Sequence, residues 1–442
     1  MNFKRISKKE FHHSGDGKTC WLQRKYLKLF LEIIFILLIV TGGFKVLESR
    51  KNSPYLQSDE PAWIFAGYYF NLYFLRFDLF HQDWSDYEAL DQPPLAKYIV
   101  GGSVYLKGYT IDSLRVKRLW NNLPVDKLPV FFDSIKHEIP NPAIVIPFAR
   151  SVIFLFALSS LILIYISVRT LYGVLAAFIS TSLIISSPIH NYYSIRILAD
   201  PILLFFLSLF VLLCALYWKS QKNIYIVLAS IASSFAFLTK LNGILLVPLL
   251  IIIVLIKNKF SFSKIDFKSG VIALTAFLLI SAFLNPVFLN SGIKALWEMA
   301  EVRRSAFVVF QETYPNHALL SVVDRLENAT RIIFFRSSLF YPLIKIPVEL
   351  FLFVIGIYYV LSKRDLFLVS VFVFLVIIPI SILPFNMPRY LYWIFPFIYV
   401  VAGFSSNLFK EMVSKRNLKL LKIMISPLSK WHNFGSKENQ KE

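Results

Sequence analysis

A few ionisable residues stand at the margins of long apolar runs: Asp59 and Glu60 in SDEP, Asp91 and Lys97 in DQPPLAK, Arg196 and Asp200 in RILAD, Lys240 in FLTKLNG, and Arg389 in PRY. Charge at such places is costly, so each position invites a functional reading. A carboxylate can take a proton from a hydroxyl, and a lysine or arginine can stabilise a departing anion. Gathered in one cleft, these residues suit a reaction that needs both. Each also has a plainer role. Asp59 and Glu60 can cap a helix, and so can Asp91 before its proline pair. Lys97 and Arg389 can reach up to lipid headgroups along their apolar stems. Arg196 and Asp200, four apart, can form a structural pair, and Asp200 also precedes Pro201 at a helix start. Lys240 lies among Thr239, Asn242 and Gly243, which signals a helix end.

Metal chemistry is weakly signalled. His81 stands near Asp83 and Asp86, and His317 lies further on, but neither has the spacing of a ligand set. Solvated or satisfied histidines are the plainer reading. The residues assign no cofactor and leave a divalent metal open. No glycine-rich phosphate loop, serine nucleophile motif or haem motif occurs. The tripeptide NAT at 328–330 would accept a glycan only in a secretory compartment.

The elements that must position these residues are membrane helices. Of 442 residues, 56% are hydrophobic and 43 are Phe. Apolar runs lie at 29–42, 151–168, 174–187, 201–217, 224–238, 244–256, 271–289, 347–361, 366–384 and 391–404. With neutral flanks most reach bilayer length, so the pattern predicts an all-α polytopic membrane protein with about ten transmembrane helices. Backbone in hydrocarbon must bond internally, and continuous rather than alternating runs exclude a β-barrel. A basic stretch precedes the first run and no cleavage site follows it, so it reads as a retained helix.

The net charge of +20 is distributed, not clustered as in a nucleic-acid site. Basic residues fall in the N-terminus, in the loops at Arg169, Lys219 and Lys222, in KNKFSFSKIDFK, in SKR at 362–364, and in the tail from Lys410. Those places share one side of the membrane, and the positive-inside rule makes that side cytoplasmic. Both termini are then cytoplasmic, and the partners expected are membrane lipids and not nucleic acid. Cys20 on that side and Cys214 within a helix predict no disulfide.

The resulting organisation has a basic cytoplasmic N-terminus (1–26), a first helix (27–46) and a long extracytoplasmic loop (47–145). Helices two to seven follow (146–290), then a second outer loop (291–338), the last three helices (339–408) and a basic tail (409–442). The first loop carries two juxtamembrane helices, one from SDEP into WIFAGYYF and one from PPLAKYIVGG. IKALWEMAEVRRSAFVVF predicts an amphipathic helix in the second loop, and SKRNLKLLKIMISPLSKW another on the cytoplasmic surface. All the charges named at the outset fall on the outer face.

Taken in order, SDEP, DQPPLAK, RILADPILLFF, FLTKLNGILLVP and PRYLYWIFPFI resemble the blocks of GT-C membrane glycosyltransferases. The likeness is to the protein O-mannosyltransferase and aminoarabinose-transferase superfamily, dolichyl-phosphate-mannose-protein mannosyltransferases included. It covers about residues 27–256, and 380–405 loosely. It implies a sugar donor on polyprenyl phosphate, and a lipid, glycan or protein acceptor. Transfer would take place on the outer face of the cell membrane, with inversion. By the same resemblance Asp59 is the general base and Glu60 orients the acceptor or the loop. Asp91 stands where relatives place a His or an acid. Lys97, Arg196, Lys240 and Arg389 bind the donor phosphate, and Asp200 and Tyr390 support them. The chain departs from the protein mannosyltransferases at Gln92, where they carry His, and its 291–338 loop is too short for their β-trefoil. The Trp-Trp-Asp block of oligosaccharyltransferases is absent. A prokaryotic enzyme decorating lipid, polysaccharide or protein fits this pattern. The competing readings are a transporter or flippase of lipid-linked sugars, and a scaffold or polymerase-type ligase. A transporter would place its charges at mid-membrane and repeat its topology, and neither is seen in the sequence.

Overall fold

A computed structural model describes residues 16–53, 59–112, 136–261, 267–336, 338 and 346–414. The start of the basic N-terminus (1–15), Ser58 of SDEP, the middle of the polar segment 108–140, and the tail with its expected surface helix from 415 lie outside the described residues.

Each of the ten apolar runs falls on helix. The elements are α1 (Asp16–Lys51), α2 (Glu60–Phe65), α3 (Leu95–Tyr105), α4 (Pro142–Tyr172), α5 (Val174–Ser186), α6 (Ala199–Ser220), α7 (Ile224–Thr239), α8 (Leu246–Lys257), α9 (Phe267–Leu284) and α10 (Lys294–Thr313). There follow α11 (Val348–Lys363), α12 (Leu366–Ser381, with a wide turn at Val373–Ile377) and α13 (Phe395–Ser414). Four helices are long and apolar enough to cross a membrane: Leu29–Lys51 within α1, α4, α6 and α9. α5, α7, α12 and the segment Leu241–Lys257 are shorter and apolar. Among the described residues there is no strand, only one bridge between Ala318 and Phe385. The architecture is thus the all-α membrane fold that the continuous apolar runs require.

Proline and glycine punctuate the helices as their chemistry dictates. Pro142 opens α4, where a missing N–H is harmless, and Gly173 ends it with φ at +93°. α7 and α9 are joined by a hydroxyl seam. Ser230 Oγ donates to the Ala273 carbonyl at 2.6 Å, and the hydroxyls of Ser234 and Ser281 meet at 2.9 Å. Small polar residues of this kind hold helices together where hydrocarbon supplies no driving force.

Two cores form. One runs through the bundle from α4 to α13. The other lies under the long segment between α1 and α4, where Ile64, Phe65, Tyr68, Trp84 and Tyr98 pack on Val145, Ile153 and Ile202 from the starts of α4 and α6. Burying a side chain such as Phe65 contributes roughly 1.5–3 kcal/mol relative to leaving it wet. The loop is therefore a packed layer seated on helix ends. Gly67 and Gly101 let it close, since a Cβ on Gly101 would run into the Gly67 carbonyl. The two ends of the bundle differ in content. Arg169 pairs with Glu32 at 2.6 Å and Lys363 with Glu411 at 2.8 Å at one end, while the packed loop covers the other.

Candidate active site

Asp59 precedes α2 with helical backbone angles, and its side chain makes no capping bond. Its carboxylate is paired with Arg389, which opens the short helix Pro388–Leu391. Arg389 Nη2 also donates to Tyr390 Oη at 3.2 Å, and its guanidinium lies 4.9 Å from the centre of that ring. Asp59 keeps 29% of its side-chain surface and Arg389 18%, so water still reaches this pair.

Glu60, the next residue, is sealed. Arg150 Nε and Nη2 donate to its two oxygens at 2.9 and 2.8 Å, the forked geometry that suits guanidinium and carboxylate. Arg196 Nη1 donates at 3.3 Å and the Ile197 N–H at 3.1 Å. Arg150 Nη1 reaches on to the carbonyls of Arg50, Lys51 and Ser53 at 3.2, 3.2 and 2.8 Å. Those groups end α1, where carbonyls have no helical partner. One guanidinium thus ties the exit of α1 to the start of α2.

Asp91 is the last residue of the short helix Tyr87–Asp91 and accepts a 2.7 Å bond from Arg303 Nη1 of α10. Burial acts to lower the Arg303 pKa, but the Asp91 charge outweighs it and holds the guanidinium above its ordinary value. Pro94, not Asp91, caps α3. Lys97, in the first turn of α3, is buried. Its ammonium donates to the carbonyls of Glu88, Gln92 (2.6 Å) and Ala89 (3.3 Å), closing the end of the Asp91 helix. Burial pushes Lys97 down to about 8, against the opposing pull of Asp91 and Glu88.

Asp200, in the first turn of α6, accepts a 2.8 Å bond from Lys240. Lys240 does end its helix, in extended backbone after α7. The next turn packs so closely that a Cβ on Gly243 would meet the backbone of Ala236 and Phe237. The Lys240 ammonium lies 5.5 Å from the centre of the Tyr390 ring. Burial raises the Tyr390 phenol, but Arg389, Arg303 and Lys240 together outweigh it and hold its pKa below the usual value.

Beside these side chains is a cavity of about 280 Å³. Its lining includes the polar Lys240, Arg303, Arg304 and Tyr390 and the apolar Phe307, Leu383 and Trp393. Such a hollow can receive an anion attached to an apolar chain. Lys240 and Tyr390 line it; Asp91, Asp200 and Arg389 bond to the lining residues Arg303, Lys240 and Tyr390, and Asp59 joins through Arg389. Glu60, Arg196 and Lys97 are turned into packing instead, and Arg196 and Asp200 bond to different partners. His81 Nδ1 accepts the Asp83 N–H at 3.2 Å, and His317 packs on Tyr314. Among the described residues no three His, Cys, Asp or Glu side chains meet in a way that could hold a metal ion.

Two residues of the site escaped the sequence reading. Arg303 sat in the Arg-Arg pair of a helix that reads as an ordinary amphipathic surface. Arg150 sat inside PFARSVIF, where a charge in an apolar run was the available signal.

Residues 147–284 match the family described as dolichyl-phosphate-mannose-protein mannosyltransferase. That segment carries Arg150, Arg196, Asp200 and Lys240. No curated protein matches the chain. Among solved structures, ArnT from Cupriavidus metallidurans in the apo state aligns with 90% of this chain and 65% of its own length, at 13% identity and a TM-score of 0.52. The same protein bound to undecaprenyl phosphate aligns with 89% of this chain and 65% of its own length, at 14% identity and a TM-score of 0.54. This chain therefore spans 65% of the length of the structures it resembles. At such identity the likeness is one of fold. The chain therefore shares the fold of the ArnT structures, and its central segment is similar to the mannosyltransferase family.

Proposed function

We propose that this protein is a membrane glycosyltransferase that moves a sugar from a polyprenyl-phosphate donor to a lipid, glycan or protein acceptor on the extracytoplasmic face. The observation that carries the reading is the cavity at the end of an apolar bundle, lined both by Lys240, Arg303 and Tyr390 and by apolar side chains. Asp59 pairs with Arg389, which in turn bonds to the lining residue Tyr390. The ArnT structure that this chain resembles was solved with undecaprenyl phosphate, an anion of the same kind.

Asp59 takes the proton from the acceptor hydroxyl as that oxygen attacks the anomeric carbon. The bond from that carbon to the phosphate oxygen breaks on the opposite side, which inverts the centre. Lys240, Arg389 and Arg303 stabilise the departing phosphate, and the Tyr390 phenol stands among them. Removing one such donor typically costs on the order of 10²–10³ in rate. Asp200 holds Lys240. Glu60, Arg150 and Arg196 are positioning residues for Asp59, and Lys97 positions Asp91 by closing its helix. The basic connections at Arg169, Lys219 and Lys363 lie at the other end of the bundle, which supports cytoplasmic termini and an outward-facing site in the cell membrane.

The test is transfer of radiolabelled sugar from a panel of polyprenyl-phosphate sugars in native membranes. Transfer by the wild type and its loss in Asp59→Asn and Arg389→Gln, at equal protein level, is expected. Full transfer by Asp59→Asn would remove it as the base. Donor translocation without transfer by the wild type would replace the enzyme with a flippase.

A further inference from the structure

A second hollow, of about 440 Å³, lies at the end of the bundle away from the candidate site. α6 carries Asp200 in its first turn and Trp218 near its end, about 27 Å further along at 1.5 Å per residue. Trp218 lines this hollow. Lys257 and Lys259 reach it from the end of α8, and Lys363 and Arg364 from the end of α11. Lys257 stands 5.1 Å from the centre of the Trp218 ring. Two acids are near, and both are engaged. Glu411 pairs with Lys363 at 2.8 Å, and Asp365 accepts the Leu368 N–H at 3.0 Å to start α12. Among the described residues Lys259 and Arg364 make no ion pair.

A cation at a helix C-terminus is ordinary, because it faces the negative end of the helix dipole. That accounts for one cation at each helix end, not for four around one hollow with a tryptophan. The rim adds a second observation. The lining residue Leu366 is 48% exposed, and Phe260, next to Lys259 in the chain, and Leu361, two residues before Lys363, are 63% and 61% exposed. Exposed apolar side chains beside a cationic hollow match an amphiphile, with its phosphate in the hollow and its chains along the helices. A free phosphate would use the cations and leave the apolar rim without a role.

We propose that this hollow binds the headgroup of an anionic phospholipid in the leaflet opposite the candidate active site. Basic pockets between membrane helices on the cytoplasmic side bind acidic headgroups by this chemistry, and tryptophan favours headgroup depth. The site is independent of the donor cavity and does not rest on the proposed transfer reaction.

The experiment uses the full chain in a zwitterionic detergent. Phosphatidylglycerol and phosphatidylcholine are titrated separately, with bound lipid counted by native mass spectrometry. Inorganic phosphate is titrated as a competitor of phosphatidylglycerol. Phosphatidylglycerol is expected to bind on the order of tenfold more tightly than phosphatidylcholine. The double variant Lys259→Asn, Arg364→Asn should lose that preference. Both positions have left-handed backbone, φ 54° and 52°, which asparagine tolerates, so the helices still end there. Lys294→Gln, an exposed cation in the second outer loop, should leave the preference unchanged. Equal binding of the two lipids, or a preference that survives the double variant, overturns the site. Displacement of phosphatidylglycerol by millimolar phosphate would assign the hollow to a free anion and overturn the lipid reading.

Discussion

Asp59 and Glu60 are neighbours in the chain and opposites in the structure. Glu60 is fully buried and accepts from Arg150, Arg196 and the Ile197 N–H. Asp59 is partly open and paired with Arg389 beside the cavity. A carboxylate in a low-dielectric interior is tolerable only with its hydrogen bonds filled, and then it cannot exchange partners cheaply. A carboxylate that water still reaches is held more loosely. In the proposed reaction Arg389 would turn to an arriving phosphate and leave Asp59 to act as the base. The sealed girdle fixes where the open pair stands, and the open pair is free to change state.

The largest expected effect tests the girdle. Glu60→Ala leaves Arg150 buried beside a missing partner, which should cost about 3–5 kcal/mol and abolish monodisperse protein in size-exclusion chromatography. Removing both charges in Glu60→Leu, Arg150→Leu should recover part of that loss. If Glu60→Ala alone is monodisperse and as heat-stable as wild type, the girdle is not structural. Next, Asp59→Asn should keep the melting temperature of wild type while slowing transfer by roughly 10²–10⁴. A matching fall in stability would erase the distinction between the neighbours. Arg303→Gln should lower kcat/KM by roughly 10²–10³-fold, the worth of one donor to the departing phosphate. A variant with unchanged kcat/KM would confine Arg303 to holding Asp91.

The smallest effect concerns Lys97, whose pKa is lowered by burial from 10.5 to about 8. Between those values the unfolded chain binds more protons than the folded one, so stability should rise with pH across that window. Below about pH 8 the buried charge carries its full penalty. Lys97→Met lacks this dependence. Melting temperatures of both proteins between about pH 7.5 and 9.5 should show wild type gaining relative to the variant. A constant difference would mean that the ammonium is not the titrating group.

Much of this was legible in the sequence, and the parts that were not have physical reasons. The apolar runs announce their helices because hydrocarbon leaves the backbone no alternative. Lys240 announced a helix end through its Asn-Gly neighbours. Arg196 and Asp200 are four apart, yet they do not pair, because α6 starts at Ala199 and Arg196 precedes it. The i, i+4 rule holds only within a helix. Lys97 could not be read, since a lysine reaching headgroups and one closing a helix end share a spacing. Arg303 lies more than two hundred residues from Asp91, and only the packing of α10 over the first loop joins them.

The girdle around Glu60 also sets an order of events during synthesis. Glu60 leaves the ribosome 90 residues before Arg150 and 136 before Arg196. At roughly 5–20 residues per second, the acid waits several seconds for its first partner and longer for its second. Until α6 begins to insert, the outer layer lacks the bonds that let Glu60 be buried. The loop layer can therefore settle only after α1, α4 and α5 have entered the membrane, and factors that hold nascent helices together would act on this protein at that stage.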